Sequence, residues 1–169
     1  MAVNTVLAAA MMSMVAAHLP PIIIPAQSDS VNIRVSLSAE REQLLAAATD
    51  PKHDVLLDLA MIEAESAPGV YFEVFVYADG EARGRSVGNL ALYGAGIRSE
   101  SRGVFQPADV LLVITRELHA ALEKNSTIVI TFAAQGAGGA ATVARSLSAV
   151  TIHKPSISIV PRTRDEQPR

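Results

Sequence analysis

A chain of 169 residues is long enough for one domain with a sizeable core, and half of its residues are apolar. The charged residues are dispersed and sum to −3, so no basic stripe exists and nucleic acid is excluded as an expected partner. With no cysteine there is no disulfide, no thiol nucleophile and no zinc site with Cys ligands.

Residues 1–30 form an apolar N-terminal arm. Up to Gln27 it carries no ionisable side chain except His18. Three readings fit. Pro25-Ala26-Gln27 offers a small residue near a cleavage point, as in a targeting or anchoring segment, although no Lys or Arg precedes Arg34. Alternatively, Met11, Met12, Ile22, Ile23 and Ile24 bury the arm against a partner. The third reading is a terminal helix packed on its own domain. The helix-competent part, Thr5 to Leu19, ends at Pro20-Pro21 and is shorter than the roughly 20 residues of a membrane span. Membrane contact through residues 1–27 and an extracytoplasmic location go with the first reading; the compartment itself stays open.

Residues 31–160 alternate like strands. Val31, Ile33, Val35 and Leu37 share one face. Ser38 is placed to cap a short helix through Leu45. Val55 to Ile62 reads as a strand with one wet face, at Asp58. Gly69 to Ala78 is the strongest strand, with Val70, Phe72, Val74 and Val76 on one side and Tyr71, Glu73, Phe75 and Tyr77 on the other. Asp79-Gly80 signals a turn, and Val87 to Tyr93 returns. Asp109 to Ile114 is extended, and Thr115 is placed to cap a helix over Arg116 to Lys124. Thr127 to Phe132, Ser146 to Ile152 and Ser156 to Val160 complete the set, before a polar tail at 161–169. Many short strands with brief helices predict an all-β fold, an antiparallel, jelly-roll-like β-sandwich.

Chemical signals are sparse. Gly136, Gly138 and Ala141 match the spacing of a dinucleotide fingerprint, but no Asp or Glu lies between Glu123 and Asp165 to hold a ribose. A flexible hairpin connection is the preferred reading of that loop. The four histidines, His18, His53, His119 and His153, are never at i, i+4 spacing, so no metal site and no cofactor is expected. No serine sits in a G-x-S-x-G elbow. Glu63 and Glu65 share a strand face, which is read as a solvated edge. The chain is therefore expected to be non-catalytic. Large groups on both sides of Gly69–Ala78 ask for cover by loops, by the arm or by a second protein, which makes Tyr71, Phe75, Tyr77 and Tyr93 candidate interaction residues.

The order of motifs GVYFEVFVYADG, VGNLALYGAG, ADVLLVITRELHAAL, STIVITFAAQG and SAVTIHKPSISI resembles the C-terminal β-sandwich domain of bacterial tyrosinase-family proteins and plant polyphenol oxidases. In that family a "yyeVyl" strand precedes a "vGnlaLfG" strand, and a "fdvT-lraL" helix leads into the last strands. Here Tyr71 to Val76, Val87 to Gly94, Val113 to Leu122, Val129 to Gly136 and Val150 to Ile159 take those places. The family's copper ligands are histidines of a separate helical domain, over whose active-site entrance the sandwich packs. This sequence has no copper-binding helix pair. The resemblance therefore implies a stand-alone sandwich. The apolar arm and the two-sided strand Gly69–Ala78 point to an accessory or structural subunit docked on a larger protein or membrane-associated complex. Alternatives are a regulatory or chaperone-like cap for a separately encoded copper oxidase and, more weakly, a small-ligand or carbohydrate-binding sandwich.

Overall fold

The computed structural model describes residues 13–64, 66, 69–92, 108–136, 145–146 and 148–162. They form two antiparallel sheets and two helices, an all-β sandwich. The front sheet contains β1 (Met14–His18), β9 (Val150–Pro161), β4 (His53–Ala64) and β7 (Ala108–Val113) in that order, with β2 (Ile22–Ile24) also paired to β9. The back sheet runs β3 (Ser30–Ser36), β8 (Thr127–Gly136), β5 (Val70–Ala78) and β6 (Ser86–Leu90).

Alternation decides which side of each strand enters the core. Val70, Phe72, Val74 and Val76 of β5 point inward beside Ile128, Ile130 and Phe132 of β8. From the front sheet they meet Val55, Leu57 and Leu59 of β4 and Ile157 of β9. Burying each such Val, Leu, Ile or Phe side chain is worth about 1.5–3 kcal/mol, so the core dominates the fold's stability. Among the described residues no helix is long and apolar enough to cross a membrane.

Both helices are crossovers between the sheets at one end of the sandwich. The first, α1 (Arg41–Thr49), joins β3 to β4, and α2 (Thr115–Lys124) joins β7 to β8. They pack on each other and close the core with Leu44, Leu118 and Leu122, while Arg41 Nε donates to the Leu122 carbonyl at 2.9 Å. Neither cap is the expected one. The position before α1 is Glu40, and Ser38 donates its hydroxyl to Ser126 Oγ instead. Thr115 is the first residue of α2; its Oγ1 accepts from the Val55 amide and donates to Asp54 Oδ1, which ties the helix start to β4. Tertiary partners outcompeted local capping at both positions.

Three further expectations are corrected. The stretch from Thr5 to Leu19 reads as helix-competent, yet Met14–His18 is strand β1, and β2 follows beyond Pro20-Pro21. The sandwich thus includes residues well before position 31. The two C-terminal strands are one, β9, which runs through Pro155. The connection after Gly136 is no hairpin, because β8 lies in the back sheet and β9 in the front. Gly138 and Ala141 lie outside the described residues.

Why the pattern misled at β9 is visible in its partner. Inward residues on β4 are Val55, Leu57 and Leu59, then Ile62 and Ala64; the parity switches at Ala60 and Met61. Across the ladder, β9 switches at His153 and Lys154, which are both exposed. Met61 sits at φ 56°, the left-handed region, with its amide donating to Asp109 Oδ1 at 2.8 Å. The β4–β7 register slips by one between Leu59 and Ile62, as a bulge requires. Pro155 lies between the stretches of β9 that pair with β2 and with β1, its carbonyl accepting from the Leu19 amide at 3.0 Å, so no strand partner needs its missing N–H.

Candidate interaction face

The two outer faces of the sandwich differ in kind. On the back sheet the outward residues of β5 are Tyr71, Glu73, Phe75 and Tyr77, as alternation predicts. The chain satisfies most of them itself. The Tyr77 hydroxyl bonds Thr131 Oγ1 at 2.9 Å, and Thr131 donates onward to Asn32 Oδ1 at 2.7 Å, a polar row across three strands. Gln135 Nε2 donates to Glu73 Oε2 at 3.0 Å. Phe75 is only 8% exposed, under the Arg83 guanidinium 4.6 Å from its ring centroid. Phe75 is therefore corrected as an interaction residue: the β5–β6 turn already covers it. Tyr71 and Tyr77 are half-buried, and Tyr93 lies outside the described residues.

The uncovered apolar side chains are on the front sheet instead. Pairing aligns Val15, Ser158, Leu56 and Val113 in one row across β1, β9, β4 and β7. His18, Ser156, Asp58 and Leu111 form the next row. Ser156 and Ser158 are buried between larger neighbours, so small residues floor the middle of the face and apolar ones stand at its edges. Leu111 is 62% exposed and Val113 56%, on an edge strand. Large aliphatic groups at that exposure, with Val15 exposed on the opposite edge strand β1, mark a surface that gains from being covered.

Asp58 interrupts the apolar field. Burial pushes its carboxyl above the usual range, and the neighbouring Asp109 carboxylate adds to the effect. At the Val113 end the face opens into a cleft of about 480 Å³ between the helices and β4. Its polar wall is the ion pair of Arg162 and Asp54, whose Nε contacts both carboxylate oxygens at 3.1 Å. The Arg162 hydrogen bond holds the Asp54 carboxyl below its ordinary value.

Of the arm's candidate residues, Ile22 and Ile24 are corrected. They are core, fully enclosed against β9, because β2 pairs Ile22 with Ile152 and Ile24 with Val150. Ile23, between them, is 60% exposed. Met11, Met12 and Glu65 lie outside the described residues. The histidines do not converge. His53 bonds Asp50 at 2.9 Å, His153 approaches Glu63 to 3.2 Å and His119 approaches Glu123 to 3.7 Å, while His18 is exposed on β1. Among the described residues no three His, Asp or Glu side chains gather as a metal site. These positions therefore do not fit a copper ligand set. The front face was missed in the sequence because Leu111 and Val113 look like any core alternation.

The fold and face define an antiparallel β-sandwich with one self-satisfied and one apolar outer surface. No protein-family model matches the chain, and no curated protein matches it. Among solved structures it is similar to recombinantly expressed latent aurone synthase (polyphenol oxidase), with 16% identity and a TM-score of 0.49 over 85% of this chain and 26% of that one. Latent aurone synthase from its natural source is similar at 15% identity and a TM-score of 0.48, over 83% and 26% of the two chains. The chain thus spans about a quarter of the length of these proteins (26%). They are polyphenol oxidases, the group whose sandwich domain the ordered motifs resemble.

Proposed function

We propose that the chain is a non-catalytic accessory subunit that docks onto a larger protein through the outer face of its front sheet, to which strands β1 and β2 of the apolar N-terminal arm belong. The observation that carries this reading is the exposure of Leu111 and Val113 beside Leu56 and Val15 on a serine-floored sheet. A partner covering these rows removes apolar surface from water at about 25 cal/mol per Å². The back sheet supports it by contrast, since its outer groups are already hydrogen-bonded or covered.

Co-purification from the native source tests the reading. Wild-type protein is expected to recover one partner in fixed stoichiometry, and a Leu111→Lys/Val113→Lys variant of unchanged stability to lose it. Equal recovery by both proteins rejects the front face as the dock. A separately encoded copper oxidase is a second candidate partner, supported by the motif order around VGNLALYG. Adding this chain to such an oxidase is then expected to change its activity or copper loading, and no change in either removes that reading.

A further inference from the structure

We propose that the cleft between α2 and the β5–β6 turn is a binding site for a small organic carboxylate. The cleft holds about 250 Å³. Its charges are unevenly used. Lys124 Nζ, at one end, is held by Glu81 Oε2 at 2.9 Å. Arg85 of the turn and Arg116 of α2 line the same space, and among the described residues neither has a carboxylate within 4.0 Å. Only Glu117 remains on the lining as an uncommitted acid. Both arginines are exposed, and a cleft lined by two such guanidinium groups favours an anion. Their planar forks match a carboxylate's two oxygens.

Apart from Tyr77, the rest of the lining is small, and most of it is apolar. Val76 and Ala78 come from β5, and Ala120 and Ala121 from α2. Short side chains leave volume for a compact hydrocarbon body beside the charged rim, the usual make-up of a small-molecule site. At Gly84, on the turn, a Cβ would meet nothing within 4 Å, so the mouth is open on that side. Ala120 is exposed on the helix surface, and a larger side chain there fills the cleft without entering the core.

Titration of the full-length, isotope-labelled protein with benzoate, followed by amide chemical shifts, tests the site. Benzamide serves as the neutral match and inorganic phosphate as the anion without an apolar body. Saturable shifts are expected in α2 and the β5–β6 turn with benzoate alone. Arg116→Gln or Arg85→Gln weakens them about tenfold, as loss of one charge-assisted hydrogen bond requires. Ala120→Trp abolishes them while the remaining spectrum is retained. Absence of saturation with benzoate overturns the proposal, as do equal shifts from benzamide or phosphate, and so does unchanged affinity in the arginine variants.

Discussion

Gly88 of β6 lies against the side chain of Leu112 on β7, across the edge that the two sheets share. A Cβ placed on Gly88 would lie 2.7 Å from Leu112 Cδ2, and Gly88 itself has a φ of 154°. This glycine belongs to the VGNLALYG stretch, and the contact gives a physical reason for its place there. Any side chain would push the back sheet's edge strand away from the leucine that caps it. Gly88→Ala is therefore expected to destabilise the fold by about 1–3 kcal/mol in urea unfolding. The cost should be smaller in a Leu112→Val background, where the clashing methyl is gone; equal costs in both backgrounds contradict the steric account.

The neighbouring residues Ile23 and Ile24 are expected to behave as opposites. Ile24→Ala removes a fully enclosed core side chain and should cost about 2–5 kcal/mol. Ile23→Ala changes an exposed position and should stay within about 0.5 kcal/mol. Thermal unfolding of the two variants distinguishes a strand of the sandwich from an arm that merely passes over it.

Asp58 gives a pH dependence whose sign follows from its raised carboxyl. The folded state takes up the proton more readily than the unfolded chain. The ionised group thus weakens the fold at neutral pH, and this penalty disappears as pH falls through the raised value. Asp58→Asn should raise the urea midpoint at pH 7, and its advantage should vanish in acid. A constant advantage at every pH points to something other than charge.

Asp54 should show the reverse. Its carboxyl is held low by Arg162, so the pair contributes stability above the ordinary carboxylate range and loses it as pH falls through the lowered value. Arg162→Gln is expected to lower the melting temperature at pH 7 by a modest amount, with wild type and variant converging in acid. The pair is surface-facing, so added salt should also shrink the difference.

Met61 holds a left-handed backbone at the point where β4 changes parity. Met61→Gly is expected to be neutral or to stabilise by up to about 1 kcal/mol, because glycine adopts that conformation without a Cβ penalty. Hydrogen exchange at Asp109 and Val110 reports whether the bulge persists; slower folding with a large loss of stability argues against the strain.

Legibility followed the range of the interaction. The two faces of β5 and the inward stripe of α2, Leu118, Ala121 and Leu122, were readable because each repeats a short period within one element. Helix caps were misread because Ser38 and Thr115 bond to Ser126 and to Asp54 and Val55, residues remote in sequence. Strand β9 was split in two because its parity switch is matched by one on β4, a coincidence visible only once the two strands lie side by side. The candidate residues of the arm were chosen for being apolar, a property that buried Ile22 and exposed Ile23 share equally.

By itself, then, the alternation of large apolar and polar groups determined that this chain builds antiparallel strands around a sandwich core. The glycine-rich stretch after β8 lacks the acidic partner that a dinucleotide fingerprint asks for. Which surface was left uncovered is a different matter. A strand's pattern states that its faces differ but not what lies over each, and cover comes from distant parts of the chain. Arg83 reached back over Phe75 and the Asn32 row tied up Tyr77, whereas Leu111 and Val113 ended on an edge with no described residue across from them. Only the packing of the two sheets moved the candidate surface from the aromatic strand to the front sheet.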